Sequence, residues 1–93
     1  MRNYEFTVIF NANEENTTAG LEYVTSTFAT AGVEITKQDD MGVKYLAYDI
    51  KKQEKGHYVY FELKADPSTI LEFERGFLLN ANILKYLFVN TEK

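Results

Sequence analysis

Tyr4, Phe6, Val8 and Phe10 alternate with Asn3, Glu5 and Thr7, the period of a strand with one face buried and the other wet. Asn11-Ala12-Asn13 breaks the alternation, and Asn13 ahead of Glu14 and Glu15 predicts a helix N-cap with acids in the first turn. Leu21, Val24, Phe28 and Ala31 then recur at helical spacing, with Gly32 as the C-cap candidate. Gly20 and the threonines at 17, 18, 25, 27 and 30 are poor helix formers, so packing of the apolar stripe must hold this helix. A second strand is expected from near Val33 through Ile50, with an irregularity around Asp39 to Gly42, and Gln53 to Gly56 reads as a hairpin turn. His57 to Lys64 alternates again: Val59, Phe61 and Leu63 point inward, Tyr58, Tyr60 and Glu62 outward. Asp66-Pro67 is an Asx cap followed by proline at the first helical position. Ile70, Phe73, Phe77 and Leu78 supply the buried stripe of that helix, Asn80 and Asn82 its exit, and Leu84 to Thr91 the last strand.

The predicted order is β-α-β-β-α-β, the split βαβ or ferredoxin-like α+β arrangement. Each helix joins strands of like direction, which gives a four-stranded antiparallel sheet with both helices on one face. A chain of 93 residues suits one such domain spanning 1–93. The uncovered sheet face and the long hairpin between strands two and three are where function is expected.

Composition narrows the classes. A hydrophobic fraction of 45%, with seven tyrosines and seven phenylalanines, predicts a folded globule. No cysteine is present, so disulfides and thiolate metal sites are excluded. No secretory apolar core follows Arg2, and no apolar run approaches the roughly 20 residues that cross a bilayer, so a cytoplasmic protein without membrane contact is expected. His57 is the sole histidine and has no nucleophile or metal-ligand set around it. The acidic groups Glu14-Glu15, Asp39-Asp40 and Glu72/Glu74 suit a helix start, a turn and diverging helix positions. Neither a metal nor a cofactor is called for, and no enzyme is expected.

A net charge of −4 argues against a generic polyanion binder. Against that background, Tyr45, Tyr48, Tyr58 and Tyr60 lie close to Lys44, Lys51, Lys52 and Lys55 within Gly42 to Leu63. Stacking surfaces beside mobile positive charge suit RNA. Lysines at a hairpin tip equally suit protection of a sheet edge, and the residues alone leave both readings open. Arg2 extends the cationic set if strand one lies beside strand three; it shares parity with the core residues, but at a strand end its head group can reach solvent. Tyr58 and Tyr60, on the uncovered face, suit protein contact better than base stacking, because the Lys55 to Phe61 segment sets its aromatics out of register with the RRM third-strand pattern.

Met1-Arg2-Asn3-Tyr4-Glu5, Gly42 to Lys52, Gly56-His57-Tyr58, Ala65-Asp66-Pro67, Leu71 to Arg75, Leu79-Asn80 and Ile83 to Leu87 together resemble the bacterial small-subunit ribosomal protein six family, over essentially the whole chain. The resemblance implies a structural protein of the small-subunit platform, binding small-subunit ribosomal RNA together with the small basic ribosomal protein eighteen. It favours Arg2, Lys44, Lys51, Lys52, Lys55 and Lys85 as RNA-binding residues, and Tyr48, Tyr58 and Tyr60 as partner-binding ones. Asp49 stands where the family usually has proline, which is expected to alter the edge of strand two. The chain stops at Lys93, short of the tail of some members, so contacts of such a tail are not expected.

Two other classes share the topology. A small-molecule sensor domain of ACT type usually needs glycine near the first strand–helix turn, which here is Asn11-Ala12-Asn13. An acylphosphatase-like enzyme would need an arginine in that loop, and none is there.

Overall fold

The computed structural model describes residues 2–91; Met1, which opens the family-like segment, and Lys93 lie outside the described residues. The elements are β1 (Arg2–Asn11), α1 (Glu14–Thr30), β2 (Glu34–Ile50), β3 (Gln53–Ala65), α2 (Pro67–Leu79) and β4 (Ile83–Asn90). The strands form one antiparallel sheet in the order β2-β3-β1-β4. This is the ferredoxin-like arrangement that the periodicity predicts.

The alternation of β1 sets the core. Phe6, Val8 and Phe10 are wholly buried and oppose Phe61, Val59 and His57 of β3. Phe6 is the hub, with its ring centroid 4.4 Å from Phe88 and 5.4–5.7 Å from Phe28, Phe61 and Phe77. Most of these contacts are edge-on or tilted, the arrangement that aromatic quadrupoles favour. Val24 and Phe28 of α1, with Ile70, Phe73 and Phe77 of α2, close the same face.

Both helix starts form as the sequence predicts. Asn13 Oδ1 accepts the Glu15 N–H at 2.9 Å, and Asp66 Oδ1 accepts the Ser68 N–H at 3.0 Å, with Pro67 at the first helical position. The threonines of α1 turn their hydroxyls back onto the helix: Thr25 donates to the Leu21 carbonyl and Thr27 to that of Tyr23. The helix ends at Ala31, followed by Gly32 at φ 76°.

Four expectations need correction. Ala31 and Leu78 are exposed rather than part of the buried stripes, because Phe28 and Phe77 already fill the helix–sheet contact. β4 starts at Ile83, whose side chain is buried, one residue before the expected Leu84. The hairpin does not turn at Gln53 to Gly56. It turns at Lys51-Lys52, both with positive φ (49° and 64°), flanked by the pair Ile50–Gln53. That is the two-residue, doubly left-handed turn that matches strand twist. Gly56 instead lies inside β3, where a Cβ would run into Ile9 Cγ2. Its missing side chain makes room for packing, not for a turn.

Arg2 is the fourth. β1 does lie beside β3, but antiparallel: Arg2 opposes Ala65 while Asn11 opposes Gly56. Nine strand residues at about 3.3 Å each put Arg2 about 30 Å from the hairpin end of the sheet. It cannot extend the lysine cluster there.

Candidate nucleic-acid interface

β2 and β3 run past the rest of the sheet, and their far end gathers cations. Lys44 opposes Gly56, and Lys55 opposes Tyr45. Between the pairs Tyr45–Lys55 and Ile50–Gln53 the ladder breaks, and Leu46 to Asp49 leave the register. Asp49 sits in this unpaired stretch on an edge strand, so the position makes no ladder bond that the family's usual proline would lose.

The break lets the hairpin curl over the uncovered face toward β4. Leu46 comes within contact of the Gly56 position, over Ile9, which is buried although it points away from the main core. Lys51 Nζ donates to the Ile83 carbonyl at 3.0 Å, and Lys85 Nζ donates to the Tyr48 hydroxyl at 3.2 Å. The sheet face expected to be open is therefore covered at this end by the chain's own hairpin.

Three lysine–tyrosine pairs result. Lys55 Nζ lies 4.8 Å from the Tyr45 ring centroid, Lys44 5.7 Å from that of Tyr58, and Lys85 5.8 Å from that of Tyr48. Tyr45 is 73% exposed and Tyr48 62%. Lys44, Lys51, Lys52, Lys55 and Lys85 stand there against only Asp49 and Glu54 among the hairpin residues, so this end is locally cationic on an acidic protein. The structure thus places five of the six cations singled out from the sequence at this end of the sheet. Lys51 and Lys85 are already tied to backbone and phenol.

Tyr45 is the exposed ring of this set to which the sequence reading assigns no role, although its place among the lysines is visible there. Its exposure is not, because that depends on the break after it in β2.

The partner-binding tyrosines separate. Tyr58 and Tyr60 both project from the face away from the helices, opposing Ile9 and Thr7. The Tyr60 hydroxyl is held between carboxylates, 3.0 Å from Glu5 Oε2 and 3.1 Å from Glu62 Oε2. Burial, then those two carboxylates, push its ionisation well above the ordinary tyrosine range. Flanked by two acids, Tyr60 is a poor platform for a nucleotide, whose phosphate they would repel.

On the helix side, His57 Nε2 meets Asp40 Oδ1 at 2.5 Å, and the same oxygen accepts the Gly42 N–H at 2.9 Å. That backbone bond first, and His57 second, hold the Asp40 carboxyl below its ordinary value. The trio pins the register shift between Asp40 and Gly42, where Gly42 takes φ 80°. Among the described residues no group of three or more His, Asp or Glu side chains is placed to hold a metal ion. The first strand–helix turn is bonded within itself: Asn11 Oδ1 accepts from Asn13 N–H, and Thr17 Oγ1 donates to the Asn11 carbonyl. Those groups are not left over for a ligand of the sensor or phosphatase kind. No described helix is long and apolar enough to cross a membrane.

Compared with known proteins, residues 3–90 match the model of a family described as ribosomal protein S6. The chain is 40% identical over 92 residues to a protein of Treponema denticola named small ribosomal subunit protein bS6, with 99% of each chain covered. It is 34% identical over 95 residues to the protein of that name from Moorella thermoacetica, covering all of this chain and 97% of the relative. Among solved structures, the crystal structure of 30S ribosomal protein S6 from Thermotoga maritima superposes with a TM-score of 0.85 at 26% identity, covering 96% of this chain and 86% of that one. The C-terminal domain of the MgtC protein from Mycobacterium tuberculosis superposes at 0.66 with 11% identity, a likeness of fold alone.

Proposed function

Since the chain belongs to the ribosomal protein S6 family, and is thereby a structural, non-enzymatic protein of the small subunit of the cytoplasmic ribosome, we propose that it binds small-subunit ribosomal RNA through the hairpin end of its sheet, in company with ribosomal protein eighteen. The observation that carries this reading is the set of three lysine–tyrosine pairs on an otherwise acidic body. Lys44, Lys52 and Lys55 supply phosphate contacts, and Tyr45 and Tyr48 present rings beside them. Lys51 and Lys85 hold the hairpin in place over Ile83 and Tyr48, and reach phosphate only by giving up those bonds. Arg2, at the far end of the sheet, has no part in this contact.

A net charge of −4 repels phosphate at long range, so a small basic partner supplies what the chain lacks. Tyr58, on the uncovered face, is the better anchor for that partner; the Tyr60 hydroxyl is committed to Glu5 and Glu62.

The test is RNA binding by the chain with and without protein eighteen across a salt series. The chain alone should bind weakly and the pair tightly. Replacing Lys44, Lys52 and Lys55 with glutamine should weaken binding by the pair and lower the slope of log affinity against log salt by roughly one unit for each phosphate no longer neutralised. Unchanged affinity and slope would refute the RNA surface. Tight binding by the chain alone would refute the dependence on the partner.

A further inference from the structure

Row by row across the face turned away from the helices, the sheet changes its charge. Near the hairpin Tyr58, Ile9 and Lys85 stand side by side, with Lys44 over the Tyr58 ring. Two residues along, Asp39, Tyr60, Thr7 and Leu87 form the next row. Two further on come Lys37, Glu62, Glu5 and Val89. Glu5 and Glu62 are thus direct cross-strand neighbours, the placement in which like charges destabilise a sheet.

The described residues compensate that opposition only in part. The Tyr60 hydroxyl sits 3.0 Å from Glu5 Oε2 and 3.1 Å from Glu62 Oε2, but a phenol has one proton and serves one carboxylate at a time. Lys37 Nζ is 4.0 Å from Glu62 Oε2 and nearer, at 3.5 Å, to Asp39 Oδ2; among the described residues no ion pair reaches Glu5. The Glu62 side chain is 44% exposed, so its free lone pairs are within reach of another molecule. Both carboxylates border a depression of about 430 Å³ whose walls also include Asn3, Thr36, Tyr60 and Thr91. Beside it Leu87 and Val89 stand exposed on β4.

We infer that this half of the face is the docking surface for a basic protein, with an arginine of that protein lying between Glu5 and Glu62 against the Tyr60 ring and its apolar neighbours covering Leu87 and Val89. The inference rests on the proposed association with protein eighteen and gives that partner its contact. Charge selects the occupant. Nucleic acid is repelled by the carboxylates, and a second copy of a chain of net charge −4 brings no surplus of cations. A guanidinium suits the site better than an ammonium. Its planar fork donates to two carboxylates at once and its face stacks on a phenol ring, while its stem lies along valine and leucine. The acidic row is also clear of the hairpin lysines. Glu62 and Lys55 are seven residues apart on β3, roughly 23 Å at about 3.3 Å each, against a screening length of about 8 Å. The face can therefore hold a cationic protein on one half and RNA at the other end.

The experiment is isothermal titration calorimetry of protein eighteen into the chain without RNA, at low and high salt, for the native protein and two double variants. Glu5→Gln, Glu62→Gln removes the paired carboxylates and keeps side chains of the same length. Glu22→Gln, Glu72→Gln makes the same change of net charge at exposed positions on the helices. The first should weaken binding by about 10- to 100-fold and flatten its salt dependence. It should nevertheless unfold at the native urea midpoint or above, because it relieves two like charges. The second should bind as the native chain does. Equal weakening by the two variants would reduce the effect to net charge and overturn the inference. So would native affinity in the first variant, or a loss of affinity accompanied by a lower urea midpoint. A native chain that does not bind protein eighteen at all overturns the proposed association itself, and the site with it.

Discussion

Gly20 and Gly76 are both interior helix glycines, and intrinsic propensity gives the same forecast for both. Alanine at either should stabilise, by about 1 kcal/mol in mid-helix. The structure splits them. At Gly20 of α1, an added Cβ would stand 2.5 and 2.8 Å from Cδ1 and Cε1 of Phe10 and 3.3 Å from Asn82 Cβ. Phe10 is wholly buried, so its ring has nowhere to turn. Overpacking of this kind costs about 1–3 kcal/mol against a propensity gain of about 1 kcal/mol, so Gly20→Ala should lose up to about 2 kcal/mol net. At Gly76 of α2 the added Cβ would run into Tyr23 Oη, with the next ring atom at 3.6 Å. Tyr23 is 37% exposed, and its hydroxyl is the far end of a side chain that can swing into solvent. Gly76→Ala should therefore gain about 0.5–1 kcal/mol. Urea unfolding and thermal melting of the two variants decide it, at about 4–8 °C per kcal/mol for a domain of this size. A Gly20→Ala protein that melts above the native chain would refute the close approach of α1 to Phe10, and with it the packing of that helix on the sheet.

Phe61→Ala and Phe73→Ala should each cost about 3–5 kcal/mol by urea unfolding, since both rings pack on Phe28; a loss below about 1 kcal/mol would mean that the inward parity of β3 is wrong. Lys52→Gly removes a left-handed non-glycine residue at φ 64° and should stabilise by about 1 kcal/mol; a measured loss would place the turn elsewhere. Asp40 titrates below its ordinary value, so its contribution is present above the unfolded carboxylate range and is lost as pH falls through the lower folded value; Asp40→Asn should flatten the acid limb of a melting-temperature profile while leaving the alkaline limb unchanged. Tyr60 titrates above its ordinary value, so its contribution is full below about pH 10 and is lost as pH rises through the folded value; Tyr60→Phe should remove that part of the alkaline limb, and a tyrosine absorbing normally near pH 10 at this position would contradict the bonds to Glu5 and Glu62.

The fold was legible because local signals agree with one another. Alternation in β1 and β3, the Asn13 and Asp66 caps and the apolar stripes of α1 and α2 all point to one topology, and each formed apart from Ala31 and Leu78 at the ends of the stripes. What misled was glycine and proximity. Gly56 signals a turn on composition, yet the turn falls on two lysines, because the two-residue hairpin needs positive φ wherever strand pairing places its tip. Pairing is a long-range property: Ile50 opposite Gln53 follows from β3 lying against β1, where Gly56 is required beside Ile9. Leu78 fits the helical period but not the contact, since Phe77 already spans the gap to Phe6 and Tyr86.

The candidate interface was legible as a set of residue types, not as a surface. Sequence nearness gathered Lys44, Lys51, Lys52 and Lys55 because they lie on one hairpin, whose geometry is local. Nearness alone did not supply Lys85, which only the family resemblance named; it reaches this end because the break at Leu46 to Asp49 lets the hairpin curl across the sheet to Tyr48. Nor could it exclude Arg2, for antiparallel pairing turns a neighbour in strand order into a residue at the opposite end. The curl matters for how an acidic chain can hold RNA at all. Screening at physiological salt confines each charge to roughly 8 Å, so the whole-chain charge governs the approach, while contact depends on charges within that radius. The three lysine–tyrosine pairs place positive charge locally at this end of the sheet, and under the proposed reading the net −4 leaves the approach to a cationic companion.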